Sequence, residues 1–342
     1  MALDNRRVVN NSRETTANVI GATAPEIYFT SGGTEANNWA IKGIAQCSKG
    51  KHIITTTIEH HSVIHPCEYL QKYHGFSVTY LPVGKNGAIN IEDLIGAITP
   101  ETILISVMFA NNETGTFQPI KEVGEIAKEH GIPFHVDAVQ AVGHVPVDVS
   151  LLNIDLLSMS CHKIYGPKGV GSLYIRNGLN IGPLIHGGAQ ERNRRAGTEN
   201  IPGIVGFAAA LESAHKEMES ESLRLRALSQ IALEGMLSIP DSRFNGDNLH
   251  RLPHICNVSF KNIEGESLLI LLDMQGIAAS GGSACTSGSL EPSHVLKAMG
   301  LDEIWANGAL RISLGKYNTE HDIETLIEKL PPAIEKLRAF NE

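Results

Sequence analysis

From Glu26 to Arg176, short apolar runs alternate with amphipathic helical patterns. The strand-like runs are Ile27 to Thr30, His52 to Ile58, Ser77 to Val83, Thr102 to Ala110, Pro133 to Val139, Leu156 to Ser160 and Gly169 to Ile175. Between most of them lie helical segments such as Thr34 to Ala45, Val63 to Tyr73 and Ile120 to His130, the last followed by Gly131 as a stop signal. Strands that alternate with helices pair in parallel and are covered on both faces, so the pattern predicts an α/β fold around a mostly parallel, seven-stranded sheet. Ligands of such sheets gather at the carboxyl ends of the strands.

Beyond that region, Ile201 to Leu237 is helical in pattern and densely charged from Glu212 to Arg226, which suits a connector between lobes. Ile255 to Phe260, Leu268 to Leu272, the helical Ser293 to Met299, the strand-like Ala309 to Leu314 and a closing helix over Glu320 to Phe340 predict a smaller α+β lobe. The expected division is a large domain over residues 14–215 and a small domain over 216–342, with residues 1–13 free to join the small one.

Composition narrows the class. The 342 residues are 42% hydrophobic and 19% charged, with no apolar run long enough to span a bilayer, so no membrane association is expected. Net charge is −9 with only Arg192, Arg194 and Arg195 clustered, which argues against nucleic acid. Residues 1–16 carry no export signal, and the five cysteines contain no Cys-x-x-Cys pair, so reduced thiols in the cytoplasm are expected rather than disulfides or structural zinc.

Four features carry candidate chemistry. Cys285 sits in the Gly- and Ser-rich stretch from Ser280 to Ser289, where a thiol is presented rather than packed and reads as a nucleophile, or blandly as part of a linker. Lys163 follows an apolar run, and a lysine at the end of a buried strand suggests Schiff-base chemistry, with an exposed turn lysine as the alternative. Asp137 closes another apolar run, where a carboxylate needs a cation such as a protonated pyridine, or else caps the next segment. Gly32-Gly33-Thr34 opens a helix after a strand and makes an anion cradle. His60, His61 and His65 lack a third ligand type beside them, so no metal is expected, and Gly166 to Gly171 lacks the ending of a phosphate-binding P-loop.

Together, Thr30-Ser31-Gly32-Gly33-Thr34-Glu35-Ala36-Asn37-Asn38, Glu59-His60, Asn111 to Gly115, His135-Val136-Asp137-Ala138, His162 to Gly169, Gly197-Thr198 and Gly282-Ser283-Ala284-Cys285 resemble the NifS/IscS cysteine desulfurases. These are class V aminotransferase-like, fold-type I pyridoxal phosphate enzymes, and the similarity runs from about Asn11 to about Phe340. The stretch from Cys285 to Val295 looks closest to the nitrogen-fixation NifS branch.

The resemblance implies that Lys163 bonds the cofactor, Asp137 pairs with the pyridine nitrogen, and Gln140 and Asn112 lie near the phenolic oxygen. It implies that His60 stacks on the ring and shuttles protons, and that Gly33, Thr34, Ser160 and His162 form the phosphate site with Thr198 from the other subunit of a homodimer. Arg311, with Asn112, would hold the substrate carboxylate as guanidinium groups do. The freed Lys163 amine would take the α-proton of L-cysteine, and the Cys285 thiolate would take its sulfur as a persulfide destined for a NifU/IscU-like scaffold or another acceptor. Cys161 stands where the family often has Gly or Ala and is a second thiol beside Lys163. Family chains are expected to begin with a further stretch of roughly forty residues that helps build the small lobe, which Met1 to Val9 does not resemble. The alternatives are a selenocysteine lyase or another class V enzyme, and a catalytically impaired homologue that docks a sulfur acceptor.

Overall fold

The computed structural model describes residues 2–281 and 292–341. The chain forms two compact units. One comprises the chain up to Pro82, Ile89–Phe109 and Gln118–Met218; the other comprises Val83–Ala88, Ala110–Phe117 and the chain from Glu219 on. The first unit therefore takes in residues 1–13, and the second takes in two short segments that a single boundary near residue 215 does not anticipate.

The first unit runs α1 (Ala2–Val19), β1 (Ile27–Thr30), α2 (Gly33–Cys47), β2 (His52–Thr56), α3 (His61–His74), β3 (Ser77–Leu81), α4 (Ile91–Ala97), β4 (Thr102–Ser106), α5 (Ile120–Glu129), β5 (Phe134–Asp137), β6 (Leu156–Ser160), β7 (Gly171–Ile175), α6 (Gln190–Asn193) and the start of α7 (Ile201–Leu237). The seven strands lie in the order β1-β7-β6-β5-β4-β2-β3. All neighbours pair in parallel except β7, which is antiparallel to both β1 and β6. Every strand except the edge strand β3 is buried along its length, which is why most read as largely apolar runs. Because β1 and β2 lie far apart in the sheet, α2 between them crosses its face and packs on β4, β5, β6 and β7. The apolar face of α5 is Ile120, Val123 and Ala127, at helical spacing, and Gly131 ends it in the left-handed region at φ +65°.

The polar helix α1 is not apparent from hydrophobic spacing. Arg13 pins it: Nη1 donates to the Ile27 carbonyl at 2.7 Å and Nη2 to Glu191 Oε1 at 2.6 Å. The guanidinium also lies 4.8 Å from the centre of the Phe29 ring. Glu191 reaches this position through a left-handed turn, with φ of 44°, 56° and 63° at Glu191, Arg192 and Asn193.

The second unit contains the antiparallel strands β8 (Ser242–Phe244), β9 (Ile255–Phe260) and β10 (Ala309–Ser313), ordered β10-β9-β8. Its helices are α8 (Gly265–Asp273), α9 (His294–Ala298), α10 (Glu303–Ala306) and α11 (Glu320–Asn341), besides the end of α7. Leu228, Leu233, Phe260, Leu268, Leu310 and Leu330 are among its core residues. Among the described residues no helix is long and apolar enough to cross a membrane.

Candidate functional site

In the first unit, the carboxyl ends of four strands gather the residues singled out above. Thr30 ends β1, Asp137 ends β5, Ser160 ends β6, and β2 leads through Glu59 to His60 at the start of α3. Gly32, with φ 155° and ψ −179°, turns β1 into α2. A Cβ on Gly33 would stand 2.6 Å from a Val139 methyl and 3.5 Å from Ser160 Cβ, so only glycine lets the helix start approach the ends of β5 and β6 this closely. The helix N-terminus, exposed at Thr34, is thus placed beside the buried Ser160, whose Oγ meets His162 Nδ1 at 2.9 Å. Burial, then the charges of Lys163 and Lys168, hold the His162 ring below the usual histidine range.

Asp137 is buried. Its Oδ1 accepts from the Val139 amide at 3.0 Å and its Oδ2 from Asn37 Nδ2 at 2.7 Å. The same Asn37 nitrogen donates to Ser62 Oγ at 2.8 Å, and Ser62 Oγ lies 2.7 Å from His60 Nδ1. The Ser62 amide also donates to His60 Nδ1, at 3.1 Å, so that nitrogen is an acceptor and the neutral ring carries its proton on Nε2. Burial is the main cause of the lowered His60 pKa; Lys163 adds to it, and the Asp137 charge opposes it.

Glu59 lies fully buried beneath this group. Its Oε1 accepts from Thr56 Oγ1 at 2.9 Å and from the Met108 amide at 2.8 Å. Burial, helped by the nearby Asp137 charge, pushes its carboxyl up to about 8, so it is a neutral acid at pH 7. His135, between β4 and β6, bonds Ser106 Oγ and Ser158 Oγ, and burial pushes it down to about 3. It is a neutral structural link.

Lys163 follows the buried strand β6 by three residues, on a 3-10 turn over Cys161–Ile164, and is exposed, as the turn-lysine alternative has it. The turn reverses at Tyr165, with φ 64°, so the buried face is taken by Cys161 and Ile164 and the lysine points outward. Gln140 is half-buried just past β5, and Thr198 is exposed. Cys161 is buried against Gly166, and burial pushes its thiol up to about 12.

Asn112 and Arg311 belong to the second unit, where Arg311 Nη1 donates to the Asn112 carbonyl at 3.0 Å. The Arg311 amide donates to the Ser280 carbonyl at 2.7 Å. Ser293, the cap of α9, donates to the buried Glu113 carboxylate at 2.5 Å. Cys285 and its neighbours from Gly282 to Glu291 lie outside the described residues.

These donors fit pyridoxal phosphate. Among the described residues no lysine or arginine pairs with the buried Asp137 carboxylate, and a pyridinium nitrogen is the cation such a group accommodates. The start of α2 with Ser160 and His162 suits a phosphate, and an exposed lysine amine is reachable by an aldehyde. Asn37, Ser62 and Glu59 were given no role by sequence reasoning. Asn37 left a trace, as a polar residue on the face where α2 buries Gly33, Ala36 and Ala40.

The family model of the class-V aminotransferases matches residues 2–326. The chain belongs to that family. Among class-V relatives, the chain is 57% identical to a cysteine desulfurase IscS of Methanosarcina thermophila, over 97% of this chain and 83% of that one. A solved NifS-like protein superposes with a TM-score of 0.91 at 40% identity, covering 99% of this chain and 89% of the other. The structure of SspA in complex with cysteine superposes with a TM-score of 0.80 at 39% identity, covering 93% and 89%. The fold is that of the fold-type I pyridoxal phosphate enzymes of this family.

Proposed function

We propose that this protein is a pyridoxal-phosphate-dependent cysteine desulfurase that converts L-cysteine to L-alanine and leaves the sulfur as a persulfide on Cys285. The observation that carries the cofactor site is the buried Asp137 carboxylate, held by Asn37 and Val139, with His60 within electrostatic reach of both Asp137 and Lys163. The relatives named cysteine desulfurase support the substrate and the reaction.

When bound, pyridoxal phosphate supplies the electron sink that weakens the bonds around the substrate α-carbon. Lys163 would hold it covalently, and the Lys163 Nζ, when free, would accept the α-proton of the substrate. Asp137 keeps the pyridine nitrogen protonated. Gly33, Thr34, Ser160 and His162 bind the phosphate, with Thr198 of the other subunit of a homodimer; Gln140 and Asn112 address the phenolic oxygen. Arg311 takes the substrate carboxylate. Neutral His60 would lie against the ring and offer its Nε2 proton for exchange. In the transfer itself the Cys285 thiolate forms a sulfur–sulfur bond as the substrate Cβ–S bond breaks, and the carbon skeleton, having gained the proton, leaves as alanine. The atoms balance as cysteine plus enzyme thiol giving alanine plus enzyme persulfide. A cytoplasmic NifU/IscU-like scaffold for iron–sulfur cluster assembly, including clusters for nitrogen fixation, then takes the sulfur.

The test is turnover. The purified protein with pyridoxal phosphate, L-cysteine and dithiothreitol is expected to release alanine and sulfide in equal amounts. A protein that binds the cofactor and turns yellow yet makes neither product overturns the assignment.

A further inference from the structure

We infer that Asn37 is a positioning residue that ties the carboxylate of Asp137 to the ring of His60 through a single amide nitrogen. The inference rests on the reading of Asp137 and His60 as cofactor contacts. Asn37 Nδ2 has two protons and spends both here, one on Asp137 Oδ2 at 2.7 Å and one on Ser62 Oγ at 2.8 Å. The orientation is fixed, because a flipped amide would set its oxygen against an acceptor-only carboxylate. Its Oδ1 is left buried with no hydrogen-bond partner among the described residues, a cost that folding alone gives no reason to accept.

Ser62 passes the constraint on. With its oxygen accepting from Asn37, its hydroxyl proton is directed to His60 Nδ1 at 2.7 Å, alongside the Ser62 amide. The ring is therefore held both as a tautomer and in rotation from the same atom that orients Asp137. Groups from β5, α2 and the start of α3, far apart in sequence, are set in register by one side chain. A cofactor ring gripped at its nitrogen by Asp137 and on its face by His60 requires that these two keep a fixed relation.

The experiment uses the full chain and two readouts that do not depend on turnover. Asn37→Leu, with the same side-chain branching but no donor, is expected to weaken pyridoxal phosphate binding to the cofactor-stripped protein about tenfold. In 15N-histidine spectra of the holoprotein it is also expected to shift His60 Nδ1 away from the position of an unprotonated, hydrogen-bonded nitrogen. Ser62→Ala is expected to shift the His60 signal and to weaken cofactor binding less than Asn37→Leu does, because Asp137 keeps its contact with Asn37. Unchanged affinity and unchanged His60 signals in Asn37→Leu overturn the bridge. Should that variant fail to fold, an unchanged His60 signal in Ser62→Ala overturns it alone. Asp137→Ala separates the two readings: if it does not weaken cofactor binding, the cofactor reading has failed, whereas loss there with no effect in Asn37→Leu condemns only the bridge.

Discussion

Replacing Glu59 with glutamine should make the protein more stable, and increasingly so as pH rises. The carboxyl is fully buried and accepts two hydrogen bonds at one oxygen, which a glutamine carbonyl can also accept. Burial raises its pKa from 4.5 to about 8 in the folded chain. Above pH 4.5 the unfolded chain releases this proton while the folded chain keeps it until about pH 8, so the unfolded state gains and wild-type stability falls across that window. At about 1.4 kcal/mol per pH unit the loss is about 3 kcal/mol by pH 7 and approaches 5 kcal/mol over the whole window. Glutamine does not titrate and avoids it. Urea unfolding of cofactor-free wild type and Glu59→Gln at several pH values from about 5 to 8 should show a stability difference that grows by about 1 kcal/mol or more per pH unit. A difference that stays flat within about 0.5 kcal/mol across that range would refute the assignment of Glu59 as a buried neutral acid.

Cys161 is buried with its thiol pushed up to about 12, so Cys161→Ala should retain sulfide production near the wild-type rate, and the native protein should resist alkylation at this position at pH 8. Arg13 and Glu191 pair with side chains only 8% and 3% exposed, so Arg13→Ala should cost about 3 kcal/mol in urea unfolding by stranding the glutamate. Lys163 is exposed and packs no core, so Lys163→Ala should fold with wild-type stability yet lose the visible absorbance of the covalently bound cofactor on dialysis.

The sheet was legible because strands covered on both faces are buried at every position and so read as largely apolar runs, and α7 because its helical pattern runs unbroken from Ile201 to Leu237. Helix α1 was not, since Arg13, Ser12 and Thr16 hold it through polar contacts and a partner, Glu191, that lies 178 residues away. The short α4, β8 and α10, of seven, three and four residues, are too brief to set a period. At the site, residue types at strand ends pointed to Asp137, Ser160 and His60, whereas the Asn37 bridge depends on α2 crossing the sheet to reach the end of β5. Strand order decides that, and local spacing does not record it. The end of the buried run at Ser160 was legible too, but not the exposure of Lys163, because the turn over Cys161–Ile164 decides which side chains face inward.

The central claim is that the sulfur of L-cysteine is passed to Cys285. Mass spectrometry of peptides from the holoprotein, after reaction with L-cysteine in the absence of reductant, tests it most directly. The expected result is one added sulfur atom on the Cys285 peptide, removed by dithiothreitol and matched by an equal amount of alanine. Alanine release with the sulfur on Cys161, or on no cysteine at all, would contradict the account.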